Sequence, residues 1–228
     1  MARKKLKAPK AARRASKAER IDAAVSTELM RHRANRAVRA LGWVSEAADQ
    51  PPLIGASLAA IGAGAILRRP RLLRTGLRML ASELVATAIK GAVKHHINRT
   101  RPHKMLEDGR YALDTDAKGS KDEGPWNSFP SGHTAGAMAV GRAVSREYPQ
   151  AAQGAGVATA LVALIQLPRG KHFVSDVIAG AVIGAVSEAV VDAAARRLAG
   201  RLRRRRGADS AWEGCAPRAL RFPRLAPA

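Results

Sequence analysis

The feature that most restricts the fold of this chain is a set of apolar stretches enclosed between strongly basic ends. Residues 52–67 and 151–168 carry no charge, and residues 177–191 carry a single acid. Residues 1–20, in contrast, hold nine Lys or Arg, and residues 196–206 hold seven Arg. A helix that crosses a bilayer needs roughly 20 apolar residues, with about 17 as the lower limit. The three stretches are therefore typical of membrane helices close to the minimum length.

Two more segments have apolar character but contain charges. Residues 72–93 include four charged side chains, and residues 131–144 end near Arg142. Charges in such helices are expected to face the interior of a bundle or the membrane interface. We predict an all-α integral membrane helical bundle with five to six transmembrane helices, and a soluble alanine-rich bundle is the alternative. Residues 22–48 are predicted to be helical, and their sequence allows a span, a surface helix or a soluble helix.

The distribution of Lys and Arg predicts a topology. The positive-inside rule puts the N-terminal tail, the turn at residues 68–71 and the arginines after residue 195 in the cytoplasm. All three agree only if residues 22–48 form a first span, which gives six helices. The loops near Lys94 and Asp176 then face outward. We expect a multi-pass protein of the cell (inner) membrane with an outward-facing site.

This topology divides the chain into three parts. Residues 1–21 are predicted to be a basic cytoplasmic tail, residues 22–198 a membrane-embedded domain, and residues 199–228 a basic C-terminal tail. The formal charge of +22 is compatible with nucleic acid or with anionic lipid as a partner. Because the charge is concentrated at the ends of apolar segments, we expect contact with anionic membrane lipids and no nucleic acid. The single cysteine, Cys215, excludes an intramolecular disulfide, and the sequence does not indicate an oligomeric state.

Residues with chemical potential are concentrated in three places. Lys94 and Arg101 stand about two helical turns apart at the end of an apolar segment. Pro130, Ser131, Gly132 and His133 have the pattern of a helix N-terminus, whose free N–H groups bind anions. His172 and Asp176 are four residues apart just before the last apolar stretch, so a carboxylate can hold an imidazole there. Each pattern alone has a structural explanation, but their order and joint spacing are more specific.

The combined pattern Lys-x6-Arg-Pro, Pro-Ser-Gly-His and Gly-Lys-His-x3-Asp resembles the type-2 phosphatidic acid phosphatase family of the acid phosphatase and vanadium haloperoxidase superfamily. The resemblance covers roughly residues 50–195. It implies a helical membrane core, an outward-facing phosphatase site and no requirement for a metal or another cofactor.

The resemblance also implies roles for individual residues. His172 would attack phosphorus and form a phosphohistidine, Asp176 would orient it, and His133 would protonate the leaving oxygen. The residues implied to hold the phosphoryl oxygens are Lys94, Arg101, Ser131 and Gly132.

The chain departs from the family pattern at one position. The third family motif is Ser-Arg-x5-His-x3-Asp, and the Ser-Arg pair corresponds here to Ile165 and Gln166. Arg169, in a Pro-Arg-Gly turn, is a candidate replacement that could reach the phosphate. The alternative, equally supported by the sequence, is that Arg169 caps the preceding helix or contacts lipid head groups.

We therefore expect a phosphatase that acts on a lipid phosphate or lipid diphosphate. Phosphoryl transfer can rest on cations alone, and no metal-ligand motif occurs in the sequence. The alternatives are a haloperoxidase-like use of the same oxyanion pocket and a non-catalytic basic membrane or nucleic-acid-binding protein that retains the motifs structurally. The long polar connection at 103–126 is either a lid over the site or a solvated loop.

Overall fold

The computed structural model describes residues 7–115 and 124–215, and within 205–215 it describes the backbone alone. This part of the chain is mostly helical, as the sequence predicts. The α-helices are α1 (Lys17–Leu29), α2 (Arg36–Ser45), α3 (Gln50–Ile66), α4 (Pro70–His96), α5 (Pro102–Asp108), α6 (Gly132–Glu147), α7 (Ala152–Ile165) and α8 (Val174–Cys215). Short 3-10 turns occupy Lys10–Ala12, Met30–His32, Glu46–Ala48, Gly124–Trp126 and Pro149–Ala151.

One small sheet adds to the helical framework. Strands β1 (Asn98–Arg99) and β2 (Leu113–Asp114) pair in antiparallel fashion after α4. Arg99 also forms a parallel bridge with Asn127, and its carbonyl oxygen accepts a hydrogen bond of 2.8 Å from the N–H of Ser128. These contacts fix the segment before α6 against the segment after α4. The two elements that carry the first and second motifs are thereby held side by side.

Glycines allow the long helices to approach one another closely. A Cβ atom at Gly180 of α8 would collide with the carbonyl oxygen of Ser131, directly before α6. A Cβ atom at Gly184 would collide with the carbonyl oxygen of Ala135 in α6. Small residues four apart on one face are typical of closely packed membrane helices. The packing brings the first turn of α8 next to the first turn of α6.

The ends of the helices define where a site can form. Gln50 at the start of α3 and Lys94 at the end of α4 line the same cleft, so the intervening turn lies at the opposite end of the bundle. Gly132 and His133 of α6 line this cleft, and so does His172, directly before α8. One end of the bundle therefore collects all three motif segments.

Residues 22–48 do not form one continuous helix. The segment consists of α1, α2 and two 3-10 turns, and α1 has 13 residues. Asp22 of α1 binds Arg99 and the start of α8 at the cleft end. The N-terminal segment therefore lies at the same end of the bundle as the cleft.

The same N-terminal region has a small core of its own. Ala12, Ala23, Met105 and Phe173 are fully buried against one another. Met105 belongs to α5, and Phe173 directly precedes α8. The boundary predicted between residues 21 and 22 falls inside α1. Apolar packing and polar contacts both attach this helix to the site end of the bundle.

Among the described residues, one helix is long and apolar enough to cross a membrane, at 174–204, with a mean hydropathy of 1.8. The helices at 50–66 and 149–165 are apolar and shorter. The chain divides into two compact units, residues 1–189 and residues 190–228. The second unit contains the rest of α8, where Asp192 and Arg196 form an ion pair one turn apart.

Candidate active site

A cleft of about 930 Å³ opens at the end of the bundle where the motif segments meet. Five of the residues expected at a phosphate site line it, and they are Lys94, Arg101, Gly132, His133 and His172. The three motif segments, which are separated by up to 78 positions in the sequence, thus line one cleft. The cleft also contains side chains that sequence patterns did not indicate.

His172 is almost completely buried apart from the edge that lines the cleft. Its Nδ1 atom lies 2.7 Å from the carbonyl oxygen of Ser128. A carbonyl oxygen only accepts, so Nδ1 carries the proton and Nε2 holds a free lone pair. Burial lowers the pKa of His172 below its ordinary value, despite the opposing effects of Asp176 and the Ser128 carbonyl. The imidazole is therefore neutral near pH 7, as a nitrogen nucleophile requires.

Asp176 lies behind His172 and is fully buried. The Oδ2 atom of Asp176 is 3.8 Å from Nδ1 of His172, too long for a hydrogen bond. Its strong contacts are to the guanidinium of Arg99 at 2.6 Å and to the N–H of Phe173 at 2.8 Å. The direct hydrogen bond that orients the imidazole thus comes from Ser128, and Asp176 contributes its negative charge from slightly farther away.

His133 occupies the second position of α6, on the opposite wall of the cleft. Its Nε2 atom is 3.3 Å from Oε2 of Glu46. A histidine at this position can donate a proton to a leaving group in the cleft. Glu46 was not indicated by the sequence because its turn, Glu46–Ala48, lies outside all three motifs.

Glu46 has two further partners, one in the lining of the cleft and one outside it. Its Oε1 atom accepts hydrogen bonds from Lys171 at 2.9 Å and from Arg169 at 2.5 Å. Burial alone would raise the pKa of Glu46, but the hydrogen bonds and charges of these two cations lower it to about 2. The carboxylate therefore stays ionised across the physiological range.

The cleft is rich in cations. Lys94 and Arg101 were expected there, and Lys171 directly precedes His172. Lys90 lies one turn before Lys94 on the same face of α4 and also lines the cleft. The four-residue spacing between the two lysines is the sequence signal that could have revealed Lys90. Clustered cations in a partly enclosed space bind an anion such as a phosphoryl group.

Ser131 and Gly132 start α6 in different environments. Ser131 is the N-cap, is fully buried, and donates its backbone N–H to the carbonyl oxygen of Asp176 at 3.0 Å. Its hydroxyl oxygen lies 2.9 Å from Oγ1 of Thr134. Gly132 faces the cleft, next to the side chain of Lys90. The first turn of α6 therefore presents backbone donors to the cleft at Gly132 and His133, while Ser131 joins α6 to α8.

Arg169 has its side chain outside the lining of the cleft. Its guanidinium binds Oγ of Ser45 at 2.9 Å in addition to Glu46. Gln166, at the position of the family arginine, is fully buried and donates to Oγ of Ser45 at 3.3 Å. The two polar residues at the departure from the family pattern thus meet at the end of α2. Arg142, the other arginine near the motifs, pairs with Glu188 at 3.1 Å.

The ligand atoms of Glu46, Asp49 and His133 lie within 4.8 Å of one another, close enough to surround a metal ion. Two cations, Lys171 and Arg169, already hold the carboxylate of Glu46. Their positive charges oppose a divalent ion at that carboxylate. The donor set therefore fits a hydrogen-bonded cluster better than a metal site.

Comparison with known proteins identifies a family and two similar structures. The sequence model described as the PAP2 superfamily matches residues 75–197, more than half of the chain. Among solved structures, the chain is similar to a transmembrane PAP2 type phosphatidylglycerolphosphate phosphatase from Bacillus subtilis, with 21% identity, a TM-score of 0.59, and coverage of 82% of this chain and 91% of that one. It is also similar to Aquifex aeolicus LpxE, with 19% identity, a TM-score of 0.55, and coverage of 73% and 91%. No curated protein matches the sequence.

Proposed function

Because this chain belongs to the PAP2 superfamily, we propose that it is a membrane phosphatase that hydrolyses a lipid phosphate or lipid diphosphate through a phosphohistidine intermediate. The observation that carries the proposal is the neutral His172, whose free Nε2 borders a cleft lined by cations. An uncharged nitrogen nucleophile beside a cation cluster is suited to attack on a phosphate dianion.

In the first step, Nε2 of His172 forms a bond to phosphorus as the bond from phosphorus to the leaving oxygen breaks. His133 gives its proton to that oxygen, so a phosphate ester releases an alcohol and a diphosphate releases a lipid monophosphate. Lys90, Lys94 and Arg101 neutralise the charge on the phosphoryl oxygens, together with backbone N–H groups at the start of α6. The hydrogen bond from Nδ1 to Ser128 keeps Nε2 available throughout.

In the second step, water replaces the histidine at phosphorus. His133, now neutral, takes a proton from the attacking water, and His172 leaves as a neutral imidazole. The overall change is the conversion of one phosphate ester and one water into an alcohol and inorganic phosphate. Every proton transfer uses a residue that lines the cleft, so the cycle requires no metal or other cofactor.

A membrane location and a lipid substrate are supported by the surface of the bundle. Large apolar side chains are exposed on α3, α4, α7 and α8 within the first unit, and they include Leu58, Leu77, Leu84, Val157, Leu161, Ile178 and Val182. Large apolar side chains exposed on several helices are typical of a bundle in contact with lipid. The similarity to a transmembrane phosphatidylglycerolphosphate phosphatase also favours a substrate held in the bilayer.

We further propose that the bundle crosses the inner membrane five times, with the cleft on the outer face. The turn that contains Arg68, Arg69 and Arg71 is at the end opposite the cleft, which favours a cytoplasmic position for that turn. The N-terminal segment, which packs at the cleft end, then lies outside, in contrast to the cytoplasmic position that its basic charge predicts.

A phosphate-release assay on the purified protein in mixed micelles tests the proposed activity. The substrates are phosphatidate, phosphatidylglycerophosphate and an isoprenyl diphosphate, with a water-soluble phosphomonoester for comparison. We expect release from at least one lipid substrate, and a phosphorylated enzyme that is absent in His172→Ala. Release from none of them, combined with binding of the protein to nucleic acid or to anionic vesicles alone, would favour a non-catalytic protein.

A further inference from the structure

Helix α8, which carries the proposed catalytic carboxylate, begins without a suitable cap of its own. Its first residue is Val174, so the residue before it, Phe173, stands at the N-cap position. A phenylalanine side chain has no oxygen to accept a hydrogen bond from the first N–H groups of a helix. Asp176 partly compensates by accepting from the N–H of Phe173 at 2.8 Å. The N–H groups of the next residues still need an acceptor.

Asp22 of α1 supplies that acceptor from a distant part of the chain. Its Oδ1 atom accepts from the N–H of Val174 at 3.0 Å and from the N–H of Ser175 at 3.4 Å. Its Oδ2 atom accepts from the hydroxyl of Ser175 at 2.5 Å. A carboxylate at this place also interacts favourably with the positive end of the helix dipole.

The same carboxylate reaches Asp176 through an arginine. Nη2 of Arg99 donates to Oδ2 of Asp22 at 2.9 Å, and Nη1 donates to Oδ1 of Asp176 at 2.6 Å. The Arg99 side chain is 4% exposed, so water screens this chain of charges very little. Tyr111 completes the setting, because its hydroxyl accepts from Nε of Arg99 at 3.2 Å and donates to Glu19 at 2.8 Å.

Resting on the function proposed above, we infer that Asp22 is a positioning residue for the reaction, because it caps α8 and through Arg99 holds Asp176 behind His172. The family model matches residues 75–197, so helix α1 lies outside the matched segment. The N-terminal helix is thus part of the catalytic apparatus of this chain.

The charges of the cluster explain why a carboxylate is needed. Asp22 and Asp176 bring two negative charges to one guanidinium, which leaves a net negative charge beside His172. That charge stabilises the imidazole when it becomes positive as it bonds to phosphorus. The other charged or titratable groups around His172 line the cleft, and they are Glu46, Asp49, Lys90, Lys94, Arg101, His133 and Lys171. None of these groups is changed by a substitution at residue 22.

The test compares Asp22→Asn with the native protein. Asparagine retains an oxygen that can cap α8 but removes the charge, so the fold is expected to persist. The matched control is Glu28→Gln, which removes an exposed carboxylate from the same helix, where it pairs with Arg31 on the surface. Thermal unfolding of the full-length protein in micelles verifies that all variants are folded.

Two measurements report on the inference. NMR of ¹⁵N-labelled histidine, with the His172 signal assigned from His172→Ala, follows the titration of the imidazole directly. We expect the titration midpoint to move to lower pH in Asp22→Asn, because loss of a negative charge disfavours the imidazolium. We also expect kcat to fall by about tenfold to a hundredfold, as misplacement of a reacting group does. The acidic limb of kcat/KM should move to lower pH with the titration.

The outcomes separate this inference from the proposed function. An unchanged His172 titration in folded Asp22→Asn would overturn the inference, even if kcat falls, since only a structural effect would then remain. An equal shift in Glu28→Gln would overturn it too, because the effect would not be specific to Asp22. A native protein that releases no phosphate refutes the proposed function alone, and the NMR titration still decides whether Asp22 acts on His172.

Discussion

Nδ1 of His172 lies 2.7 Å from the carbonyl oxygen of Ser128 and 3.8 Å from the nearest carboxylate oxygen of Asp176. A backbone carbonyl does not titrate, so it fixes the same tautomer at every pH at which the imidazole is neutral. The position of that carbonyl depends in turn on Arg99, whose backbone oxygen binds the N–H of Ser128. The segments after α4 and before α6 thus determine together which nitrogen of His172 is free.

We predict that His172→Ala lowers kcat by more than about a thousandfold while the protein stays folded, because the nucleophile is lost. The measurement is phosphate release in micelles, together with thermal unfolding. His95→Ala is the control, since His95 is an exposed histidine at the end of α4. Near-normal activity in His172→Ala would exclude this residue as the nucleophile.

Substitution of Arg101, in the first motif, should lower kcat/KM more than substitution of Arg169, near the third motif. Arg101 lines the cleft, so Arg101→Ala is expected to lower kcat/KM by about a hundredfold to a thousandfold. Arg169 binds Ser45 and Glu46, so Arg169→Ala should cost less than about tenfold. Steady-state kinetics of both variants and of Arg169→Lys decide the matter. Equal losses for both arginines would mean that Arg169 leaves Glu46 and binds the phosphate directly.

Removal of the negative charge of Glu46 should strengthen the binding of oxyanions. Its carboxylate shares the cleft with the cations, and Glu46→Gln removes a repulsion of about 1 kcal/mol, equivalent to about fivefold in the inhibition constant of vanadate. Because the pKa of Glu46 is about 2, this gain should be constant between pH 5 and 8. Glu107→Gln, in an exposed pair with Arg33, serves as the control. Weaker vanadate binding in Glu46→Gln would contradict the prediction.

The low pKa of Glu46 also predicts a dependence of stability on pH. The folded-state pKa lies below the ordinary value of 4.5, so the ionised group stabilises the fold fully above pH 4.5. This contribution is lost as the pH falls from 4.5 towards 2. Denaturant unfolding should therefore show a stability difference between the native protein and Glu46→Gln that disappears over that interval. A difference that is independent of pH would assign the effect to packing.

Turnover is expected to need no divalent metal. Activity should survive incubation with a chelator, because lysine and arginine side chains stabilise the phosphoryl oxygens, and vanadate should inhibit. The close group of Glu46, Asp49 and His133 makes the measurement specific, since Asp49→Asn would remove one potential ligand. Activity that disappears with chelator and returns with zinc or magnesium would identify a metal at these residues.

Labelling of single cysteines in intact cells tests the topology. In a Cys215→Ser background, Arg14→Cys and Arg110→Cys should react with an impermeant reagent from outside, because both residues are exposed and belong to the cleft end. Arg68→Cys, in the turn at the opposite end, should react only after lysis. Ser120, in the long connection, lies outside the described residues and is less suitable. The reverse pattern would put the cleft in the cytoplasm.

Local sequence patterns were enough to predict a helical chain and to put the motif residues near helix ends. Apolar runs interrupted by Pro, Gly and Arg locate the helices, since these signals act within a few residues along the chain. For the same reason Lys94, Gly132, His133 and His172 were correctly expected at helix ends. The resemblance of their joint pattern to a known family predicted that they share one site.

The surroundings of those residues depend on contacts between distant parts of the chain. The contacts of Asp22 with Arg99 and with α8 join positions 77 and more than 150 residues apart, and no local pattern encodes such a pairing. The side chain of Arg169 binds an acid, Glu46, that belongs to a turn more than 120 residues earlier in the sequence. The position of residues 22–48 at the site end of the bundle likewise depends on long-range contacts. A single sequence specifies local conformation through short-range sterics and periodicity, whereas the partners of a charged side chain depend on which helices pack together.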